Sequence, residues 1–275
     1  MAVEFKSDTR SKETATAVVG LGEVGAALAA ILDRTETVVR HDLEPVEIAS
    51  PVGVMHLCIP FKSSVQFQTA ALEYVGRFQP SLTIIHSTVL PGTTRSIPLK
   101  SGLPVAYSPV RGKHVRMQED LLRYVKFVAA LTETDALQAE EHLQMTGMRT
   151  RRMAEVETLE LAKLAETTYF GVCIAFAQEL NRYAEQVGGD YQEAIEFFHE
   201  VECLPQTRYF PGVIGGHCVM PNIDLLLQVA PSQMLAAIVE SNERREYECE
   251  LSSKPTNPSA LGQPECGQAK VLANR

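Results

Sequence analysis

Short apolar runs alternate with helix-like stretches through the first half of the chain. The runs lie at Ala15–Val19, Thr37–Arg40, Val52–Pro60, Leu82–His86, Val105–Tyr107 and Val125–Leu131. Such runs are typical of strands that a parallel sheet buries on both faces. Leu137–Met145 predicts another helix and Met148–Met153 a final edge strand. The pattern therefore predicts an α/β fold with a doubly wound parallel sheet.

The pattern changes at Glu155, where apolar residues begin to recur at three- and four-residue spacing. The recurring positions are Leu161, Leu164, Thr168, Val172, Phe176, Leu180, Tyr183 and Val187. They predict one long helix of about 45 Å at 1.5 Å per residue. Its middle, YFGVCIAFA, is apolar all round. We therefore expect it to pack against its own sheet domain and against a second subunit, which gives a homodimer.

The remaining segments are shorter. Tyr191–His199 and about Gln233–Tyr247 predict two helices, and the glycine-rich stretch Phe210–Asn222 between them is interpreted as a loop. Residues 251–275 are rich in polar residues, glycine and proline, which predicts a disordered tail. The predicted organisation is a flexible arm (1–14), a sheet domain (15–154), a helical domain that carries the glycine loop (155–250) and the tail (251–275).

Composition narrows the class of protein. The chain has 275 residues, of which 45% are apolar and 21% charged, as in a soluble globular protein. Its net charge of -9 argues against nucleic-acid binding, although a local basic pocket for one anionic ligand remains open. The sequence contains neither a long apolar span nor a signal-peptide core. We expect a cytoplasmic protein without a membrane partner.

Cysteine spacing does not indicate a metal site. The six cysteines include no C-x-x-C pair and no zinc-like spacing. In a chain without a secretion signal we expect them to be free thiols.

A glycine motif follows the first apolar run. Gly20, Gly22 and Gly25 have the G-x-G-x-x-G spacing, with Glu23 and Val24 inside the motif, and an alanine-rich helix follows. Gly20 would form the tight turn, Gly22 would let a pyrophosphate approach the backbone, and Gly25 would let helix and strand pack closely. The motif predicts a dinucleotide site at the helix N-terminus. The alternative is a glycine turn in another kind of α/β protein.

The second apolar run ends near an acidic residue. Asp42 lies where this fold places the carboxylate that accepts hydrogen bonds from the adenosine ribose, so NAD is favoured over NADP. Arg40 and His41 weaken that preference slightly. Ligands bind such sheets at the carboxyl ends of the strands. The residues expected at the cofactor's edge are Pro60, Ser87, Thr88, Ser108 and Pro109.

The loop Phe210–Asn222 contains candidate chemistry. Gly215, Gly216 and His217 precede Cys218, so the loop can present a thiol to a ligand that lies against main chain. A turn with an inert cysteine is the alternative. On the long helix, Lys163 and Thr167 lie one turn apart and could face one pocket, whereas the bland interpretation is a solvated lysine.

Five motifs in this order resemble the UDP-glucose/GDP-mannose dehydrogenase family. They are GLGEVG, STVLPGTT, Ser108-Pro109, ELAKLAETTY and GGHC. The resemblance implies a Rossmann-type NAD domain, a central dimerising helix and NAD-dependent oxidation of an alcohol to an acid through a thiohemiacetal and a thioester. It implies Cys218 as nucleophile, Lys163 as the cation that steadies the oxyanion, and Thr88 as the residue that orders the catalytic water.

The chain departs from the family pattern at several positions. Thr167 replaces an asparagine, Asn222 an aspartate and Val110 a glutamate. The loss of a carboxylate at Asn222 removes a candidate general base, so thioester hydrolysis is the least supported step. The second α/β domain, which grips the nucleotide in family members, is not expected in this sequence.

A basic cluster follows Ser108-Pro109. Arg111, Lys113 and His114, with Arg116 beyond them, form either a solvated loop or a site for an anionic substrate group. Gly215, Gly216 and His217 would line the same substrate site. We expect a small-molecule substrate that is not held as a standard nucleotide sugar. The alternatives are a carbonyl or imine reductase without covalent catalysis and a catalytically silent NAD-binding protein.

Overall fold

The computed structural model describes residues 14–43, 51–112, 114–201, 207–253 and 271–272. The chain divides into two compact units, residues 1–163 and 164–275. The predicted arm lies outside the described residues except for Thr14, as do residues 254–270 and 273–275 of the predicted tail.

The first unit is built on one sheet. Its strands are β1 (Ala15–Val19), β2 (Val38–His41), β3 (Val52–Leu57), β4 (Leu82–Ile85), β5 (Val105–Tyr107), β6 (Lys126–Ala130) and β7 (Thr150–Arg152). Their order among the described residues is β2-β1-β3-β4-β5-β6-β7. The pairs from β2 to β5 are parallel, which confirms the predicted fold class.

The sheet reverses direction after β5. β6 pairs antiparallel with β5, and β7 is parallel to β6. The sequence predicted a parallel sheet throughout, because apolar runs that are buried on both faces do not reveal strand direction. An antiparallel neighbour needs no right-handed crossover, so the helix Met117–Arg123 connects the two strands without reversing the chain a second time.

Five helices of the described part cover the sheet. They are α1 (Glu23–Leu32), α2 (Ser64–Phe78), α3 (Thr93–Ser101), α4 (Met117–Arg123) and α5 (Glu133–Met145). Two separate apolar cores result. One contains Leu28 of α1 and Leu143 of α5, and the other contains Phe67 and Val75 of α2. Burial on both faces explains why the strand sequences are apolar throughout.

The second unit is mostly helical. Its elements are α6 (Val156–Val187), which begins in the first unit, then α7 (Tyr191–His199), β8 (Arg208–Tyr209), α8 (Val219–Val229), α9 (Gln233–Ser253) and β9 (Val271–Leu272). The long helix and α7 agree with their predicted ranges. Within the described residues, no helix is both long and apolar enough to cross a membrane.

The sequence interpretation was wrong at the end of the glycine loop. Helix α8 begins directly after Cys218, so Pro221 and Asn222 belong to a helix. A proline is tolerated in a first helical turn because its missing N–H has no intrahelical partner there.

The predicted disordered tail was also wrong in part. Residues 251–253 continue α9, and Val271 and Leu272 pair antiparallel with β8.

Helix α6 is buried along one side within this chain. Ile174 and Ala177 are buried, whereas Tyr169, Phe176 and Tyr183 are 50%, 58% and 60% exposed. The second side, which was expected to face another subunit, is therefore an exposed aromatic stripe in the single chain. The homodimer stays a prediction.

Candidate active site

The glycine turn after β1 has the geometry that a dinucleotide requires. Gly20 has a φ of 87°, and a Cβ there would lie 2.7 Å from the main-chain oxygen of Cys58. A Cβ on Gly25 would lie 1.8 Å from the oxygen of Gly20, so only glycine allows this contact between helix and turn. A Cβ on Gly22 would meet nothing within 4 Å. The turn is thus closed on its inner side and open where a ligand would approach.

The N-terminus of α1 faces this opening. Gly22 is its N-cap and, as a glycine, supplies no capping side chain, while Glu23 and Val24 begin the first turn. Backbone N–H groups at a helix N-terminus lack intrahelical partners and bind phosphate groups. The turn and the helix together fit the pyrophosphate of a dinucleotide.

The end of β2 carries the predicted ribose acid. Asp42 is exposed directly after this strand. Arg40 forms an ion pair with Asp33, and the His41 ring is buried edge-on against Tyr74. Burial lowers the pKa of His41, which favours a neutral imidazole. The two basic residues that weakened the predicted preference for NAD therefore have contacts of their own.

The segments after β3 and β4 are joined at the same sheet edge. Ser87 donates a hydrogen bond from Oγ to the main-chain oxygen of Ile59 at 2.5 Å. This bond brings the predicted residues Pro60, Ser87 and Thr88 to one side of the sheet. Pro60 is exposed, and the other two are half-buried.

Helix α6 anchors the segment that carries Thr88. Buried Glu160 accepts hydrogen bonds from the backbone N–H groups of Gly92 at 2.6 Å and Thr94 at 2.8 Å. Burial raises the pKa of Glu160, although these hydrogen bonds oppose the shift. Lys163 lies three residues further along the same helix and is half-buried. We call this contact of Glu160 the cap, and residues 88–94 the Thr88 segment. The cap holds the start of α6, which carries Lys163, against the Thr88 segment.

Lys126 is a buried cation at the carboxyl end of β5 that the sequence analysis missed. Its Nζ donates to the main-chain oxygens of Ser108 at 2.8 Å and Pro109 at 3.1 Å. Burial lowers the pKa of Lys126 from 10.5 to about 7, and the positive charges of Lys163 and Arg111 contribute to the shift. Lys126, which contacts Ser108 and Pro109, thus lies within electrostatic range of Lys163 and Arg111.

Three buried histidines form a continuous chain of hydrogen bonds across the sheet. His86 Nδ1 lies 2.8 Å from the main-chain oxygen of Ser108, and His86 Nε2 lies 2.9 Å from His56 Nδ1. His56 Nε2 lies 2.8 Å from His142 Nε2. At the far end, His142 Nδ1 is 3.5 Å from Glu36 Oε1. Such histidines inside a sheet core were not predicted.

The carbonyl oxygen of Ser108 fixes the direction of this chain. A carbonyl only accepts, so His86 donates from Nδ1 and its Nε2 accepts. His56 must then donate from Nδ1, and His142 from Nε2. Burial lowers the pKa of His56 and His86 well below the usual value, which favours neutral rings.

The predicted basic cluster is only partly described. Arg111 donates to the main-chain oxygen of Val125 and lies 5.0 Å from the centre of the Phe127 ring. Arg116 lies 3.9 Å from a carboxylate oxygen of Asp120. Lys113 and the side chain of His114 lie outside the described residues. Arg111 is therefore the described member of this cluster that lies near Lys126 and Lys163.

The cysteine loop ends at a helix N-terminus. Cys218 is exposed and is the N-cap of α8. The preceding Gly215, Gly216 and His217 are also exposed, and Gly216 has a φ of 82°. Backbone N–H groups at a helix N-terminus favour a nearby negative charge, and Cys218 lies at such a terminus. The sequence did not predict that Cys218 lies at a helix N-terminus, because the loop was expected to continue to Asn222.

Close packing on α6 sets the position of α8. A Cβ on Gly171 would lie 2.9 Å from Cδ1 of Ile223 and 3.0 Å from Cγ1 of Val219. The glycine therefore lets the first turn of α8 approach α6. Thr167, one turn earlier on α6, and Asn222, in the first turn of α8, are both buried.

The cysteines correct one expectation. Cys58, Cys173 and Cys218 form no disulfide, but Cys249 is disulfide-bonded. Sequence spacing does not reveal which cysteines the fold brings together. Burial raises the pKa of Cys58 to about 12, which makes this thiol inert at neutral pH. In the part of the chain that is described, no group of three or more His, Cys, Asp or Glu residues could hold a metal ion.

Curated relatives match part of the chain. UDP-N-acetyl-D-mannosamine dehydrogenase of Methanocaldococcus jannaschii is 32% identical over 164 residues, which are 58% of this chain and 38% of that protein. The enzyme of the same name from Pyrococcus horikoshii is 31% identical over 162 residues, again 38% of its length. The chain thus spans well under half the length of these relatives.

Solved structures share the fold. The UDP-D-ManNAc dehydrogenase structure from Pyrococcus horikoshii has a TM-score of 0.74 at 23% identity and is matched over 86% of this chain and 70% of that chain. A UDP-glucose dehydrogenase from Pyrobaculum islandicum gives a TM-score of 0.72 at 20% identity, over 88% and 71%.

A family model covers the region that carries Lys163 and Cys218. Residues 157–244 match the description "UDP-glucose/GDP-mannose dehydrogenase family, central domain". This match confirms the resemblance recognised from the motifs. Residues 157–244 are therefore similar to the central domain of the UDP-glucose/GDP-mannose dehydrogenase family.

Proposed function

We propose that the protein is an NAD-dependent dehydrogenase that oxidises an alcohol through a covalent intermediate on Cys218. The observation that carries this proposal is that one family-matched region, residues 157–244, contains both Lys163 and Cys218, with the cysteine at the N-terminus of α8. Nucleophilic cysteines are found in such electropositive, exposed positions.

The cofactor is NAD, held by the glycine turn and Asp42. NAD is the cofactor of related UDP-sugar dehydrogenases. The Asp42 carboxylate accepts hydrogen bonds from a ribose and repels a 2′-phosphate. Titration of both cofactors checks this assignment, with tighter binding of NAD as the expected result. Tighter binding of NADP would overturn it.

Two molecules of NAD, bound one after the other, would supply the hydride acceptors for two successive oxidations. The Cys218 thiolate attacks the aldehyde that the first oxidation produces and forms a thiohemiacetal. The second oxidation converts this adduct to a thioester, and water then cleaves the carbon–sulfur bond to release the acid and the thiol. Lys163 stabilises the oxyanion at each stage, an effect of a few kcal/mol in a water-poor site.

The hydrolytic step has the weakest support from the side chains. Thr88 and Thr167 can position a water, but their hydroxyl groups cannot act as its base near neutral pH, and neither can the amide of Asn222. A positioned general base typically contributes a factor of about 10² to 10⁴ in rate. Oxidation should therefore outpace hydrolysis, so that an acyl-enzyme accumulates or the reaction ends at the aldehyde.

The substrate is an alcohol that carries an anionic group. Arg111 supplies positive charge near Lys163, with Lys113 and His114 next to it in sequence, and the loop residues 215–217 line the site beside the thiol. Arginine binds carboxylate and phosphate groups in a two-pronged geometry. We propose that the anion is held differently from the diphosphate of a nucleotide sugar. Efficient turnover of UDP-N-acetyl-D-mannosamine or UDP-glucose, unaffected by Arg111→Ala, would contradict this.

The covalent role is tested by comparing Cys218→Ala with Cys173→Ala. The control removes a free thiol that lies on α6 outside the glycine loop. With NAD and a panel of phosphorylated, carboxylated and nucleotide-linked alcohols, formation of the covalent adduct and of the acid should be lost in Cys218→Ala alone. The number of NADH molecules formed per substrate molecule consumed distinguishes one oxidation from two. The mass of the intact protein shows whether a substrate adduct forms on it. Undiminished product formation by Cys218→Ala would favour a reductase without covalent catalysis.

The functional unit is a homodimer that forms through α6. Tyr169, Phe176 and Tyr183 recur every seven residues and stay exposed, so they form one stripe along the helix. A two-fold axis places the same stripe of a second copy against it. Beside Phe176, a groove of about 460 Å³ between α6 and α9 offers room for a partner's aromatic side chain.

A further inference from the structure

Two buried amide side chains bind the main chain of the glycine loop. Gln178 of α6 donates from Nε2 to the main-chain oxygen of Gly212 at 2.8 Å. Asn242 of α9 accepts with Oδ1 from the backbone N–H of Ile214 at 2.7 Å. The two side chains also contact each other, with Gln178 Nε2 donating to Asn242 Oδ1 at 3.3 Å. We call this pair of side chains the loop clamp.

The partners of each amide fix its orientation. The oxygen of Gln178 lies 3.0 Å from Ser241 Oγ, which can donate to it, and Nδ2 of Asn242 donates to Glu246 at 3.1 Å. Rotating either amide by 180° would place two donors or two acceptors together in a buried site, which costs about 1–3 kcal/mol for each unsatisfied group. The loop clamp therefore has one stable arrangement.

Further contacts hold the clamp between the two helices. Ser241 accepts from Arg182 at 3.0 Å, and Arg182 also forms an ion pair with Glu248 at 2.8 Å. Gln178, Arg182, Ser241 and Asn242 are all more than nine-tenths buried. Fully satisfied buried networks of this kind are rigid.

The clamp acts on one end of the segment that leads to Cys218. Ile214 is buried and fixed, Gly215–His217 are exposed, and Cys218 begins α8, whose first turn packs against Gly171. The thiol thus lies four residues after Ile214, the second clamped residue, and at the start of a packed helix. Gly215 and Gly216 allow many backbone conformations, so without the clamp at Ile214 the thiol could occupy many positions.

We propose that Gln178 and Asn242 are positioning residues that hold the Cys218 thiol at its reacting position. The proposal deepens the proposed function and rests on the role of Cys218. Neither side chain is assigned chemistry of its own, since both act through main-chain groups of the loop. Misplacement of a reacting group by about 1 Å can cost on the order of a hundredfold in rate.

Matched variants separate positioning from general stability. Asn242→Leu removes the acceptor for Ile214 N–H. Gln178→Glu replaces the donor to Gly212 with an oxygen of the same size, and protonation of the new carboxyl at low pH restores a donor. Asn181→Leu is the control, because it removes a buried amide of α6 that donates to Glu185 and, among the described residues, forms no side-chain hydrogen bond with the clamp or the loop.

The readouts are hydrogen exchange of residues 212–219 and the alkylation rate of Cys218 with iodoacetamide, resolved by peptide mass and compared with a free peptide of residues 212–220. In the wild type and Asn181→Leu, the Cys218 rate should differ at least tenfold from that of the peptide. In Asn242→Leu it should approach the peptide rate, with faster exchange. Gln178→Glu should do the same at pH 8 and recover towards the wild-type ratio as the pH is lowered.

Equal alkylation rates in the wild type and Asn242→Leu would overturn the proposal, as would an Asn181→Leu effect as large as that of Asn242→Leu. With a turned-over substrate, kcat should fall about 10- to 100-fold in Asn242→Leu while KM for NAD stays unchanged. If Asn242→Leu kept the wild-type alkylation rate and kcat while Cys218→Ala lost activity, the positioning role alone would be refuted. Full turnover by Cys218→Ala would instead refute the proposed function on which it rests.

Discussion

Lys126 donates a hydrogen bond from Nζ to the main-chain oxygen of Ser108 at 2.8 Å, inside the sheet unit. A lysine so deeply buried is rare, since removing an ammonium group from water is costly. Its lowered pKa expresses that cost and links protein stability to pH.

We predict that the free energy of unfolding rises with pH between 7.5 and 8.5 because of Lys126. In the unfolded chain its pKa is 10.5, whereas in the folded protein it is about 7, so the unfolded state binds more protons across this window. Stability therefore increases as pH rises, by about 1 kcal/mol over this unit. Urea unfolding at both values measures the slope, and Lys126→Met should remove this part of it. Identical slopes in the two proteins would refute the prediction.

We predict one tautomer for each ring of the histidine chain near neutral pH. His86 should carry its proton on Nδ1, because it donates to the main-chain oxygen of Ser108. His56 should carry its proton on Nδ1, because it donates to His86, and His142 should carry one on Nε2, because it donates to His56. Nitrogen-15 NMR of the histidine rings distinguishes these states. A neutral His86 with its proton on Nε2 would contradict the deduced direction of the chain.

We predict that Gly22→Ala weakens NAD binding without unfolding the protein. Gly22 has a φ of -65°, and an added Cβ meets no protein atom within 4 Å, so the fold should accept alanine. The methyl group would instead occupy the approach of the pyrophosphate. The Kd for NAD should rise at least tenfold, or about 1.4 kcal/mol, by calorimetry. Gly76→Ala, at another open glycine site, should leave the Kd unchanged, and an unchanged Kd in Gly22→Ala would remove this role.

We predict that Phe176→Glu converts a dimer to a monomer. The substitution places a charge in the middle of the exposed aromatic stripe of α6, where a second copy would have to desolvate it. Light scattering at micromolar concentration measures the mass. Leu99→Glu, at a position that is 73% exposed on α3, serves as the control and should not change it. A monomeric wild-type protein would exclude the dimer.

The strands and the long helix were predictable from sequence because their signals are local. Short apolar runs place β3, β4 and β5 to within a few residues, and a three- to four-residue period defines α6. Strand direction was not predictable for β6, since burial on both faces gives the same composition in parallel and antiparallel strands. Pro221 looked like the end of ordered structure, although it lies in the first turn of α8.

The polar networks were not predictable, because their members are far apart in sequence. His56 contacts His86 across 30 residues and His142 across 86, and Gln178 contacts Asn242 across 64. Each of these residues, taken alone, looks like an ordinary polar position in a strand or helix. Only the fold brings their hydrogen-bonding groups together. The motif residues Gly20, Lys163 and Cys218 were found because glycine spacing and the family resemblance marked them.

The cap formed by Glu160 joins the Thr88 segment to the first turns of α6 within the first unit. One carboxylate binds the backbone at Gly92 and Thr94, so the Thr88 segment and the first turns of α6 shift together. Lys163 travels with them, one turn from the cap. We therefore expect a ligand that displaces the Thr88 segment to displace the ammonium group of Lys163 as well, because Glu160 joins that segment to α6.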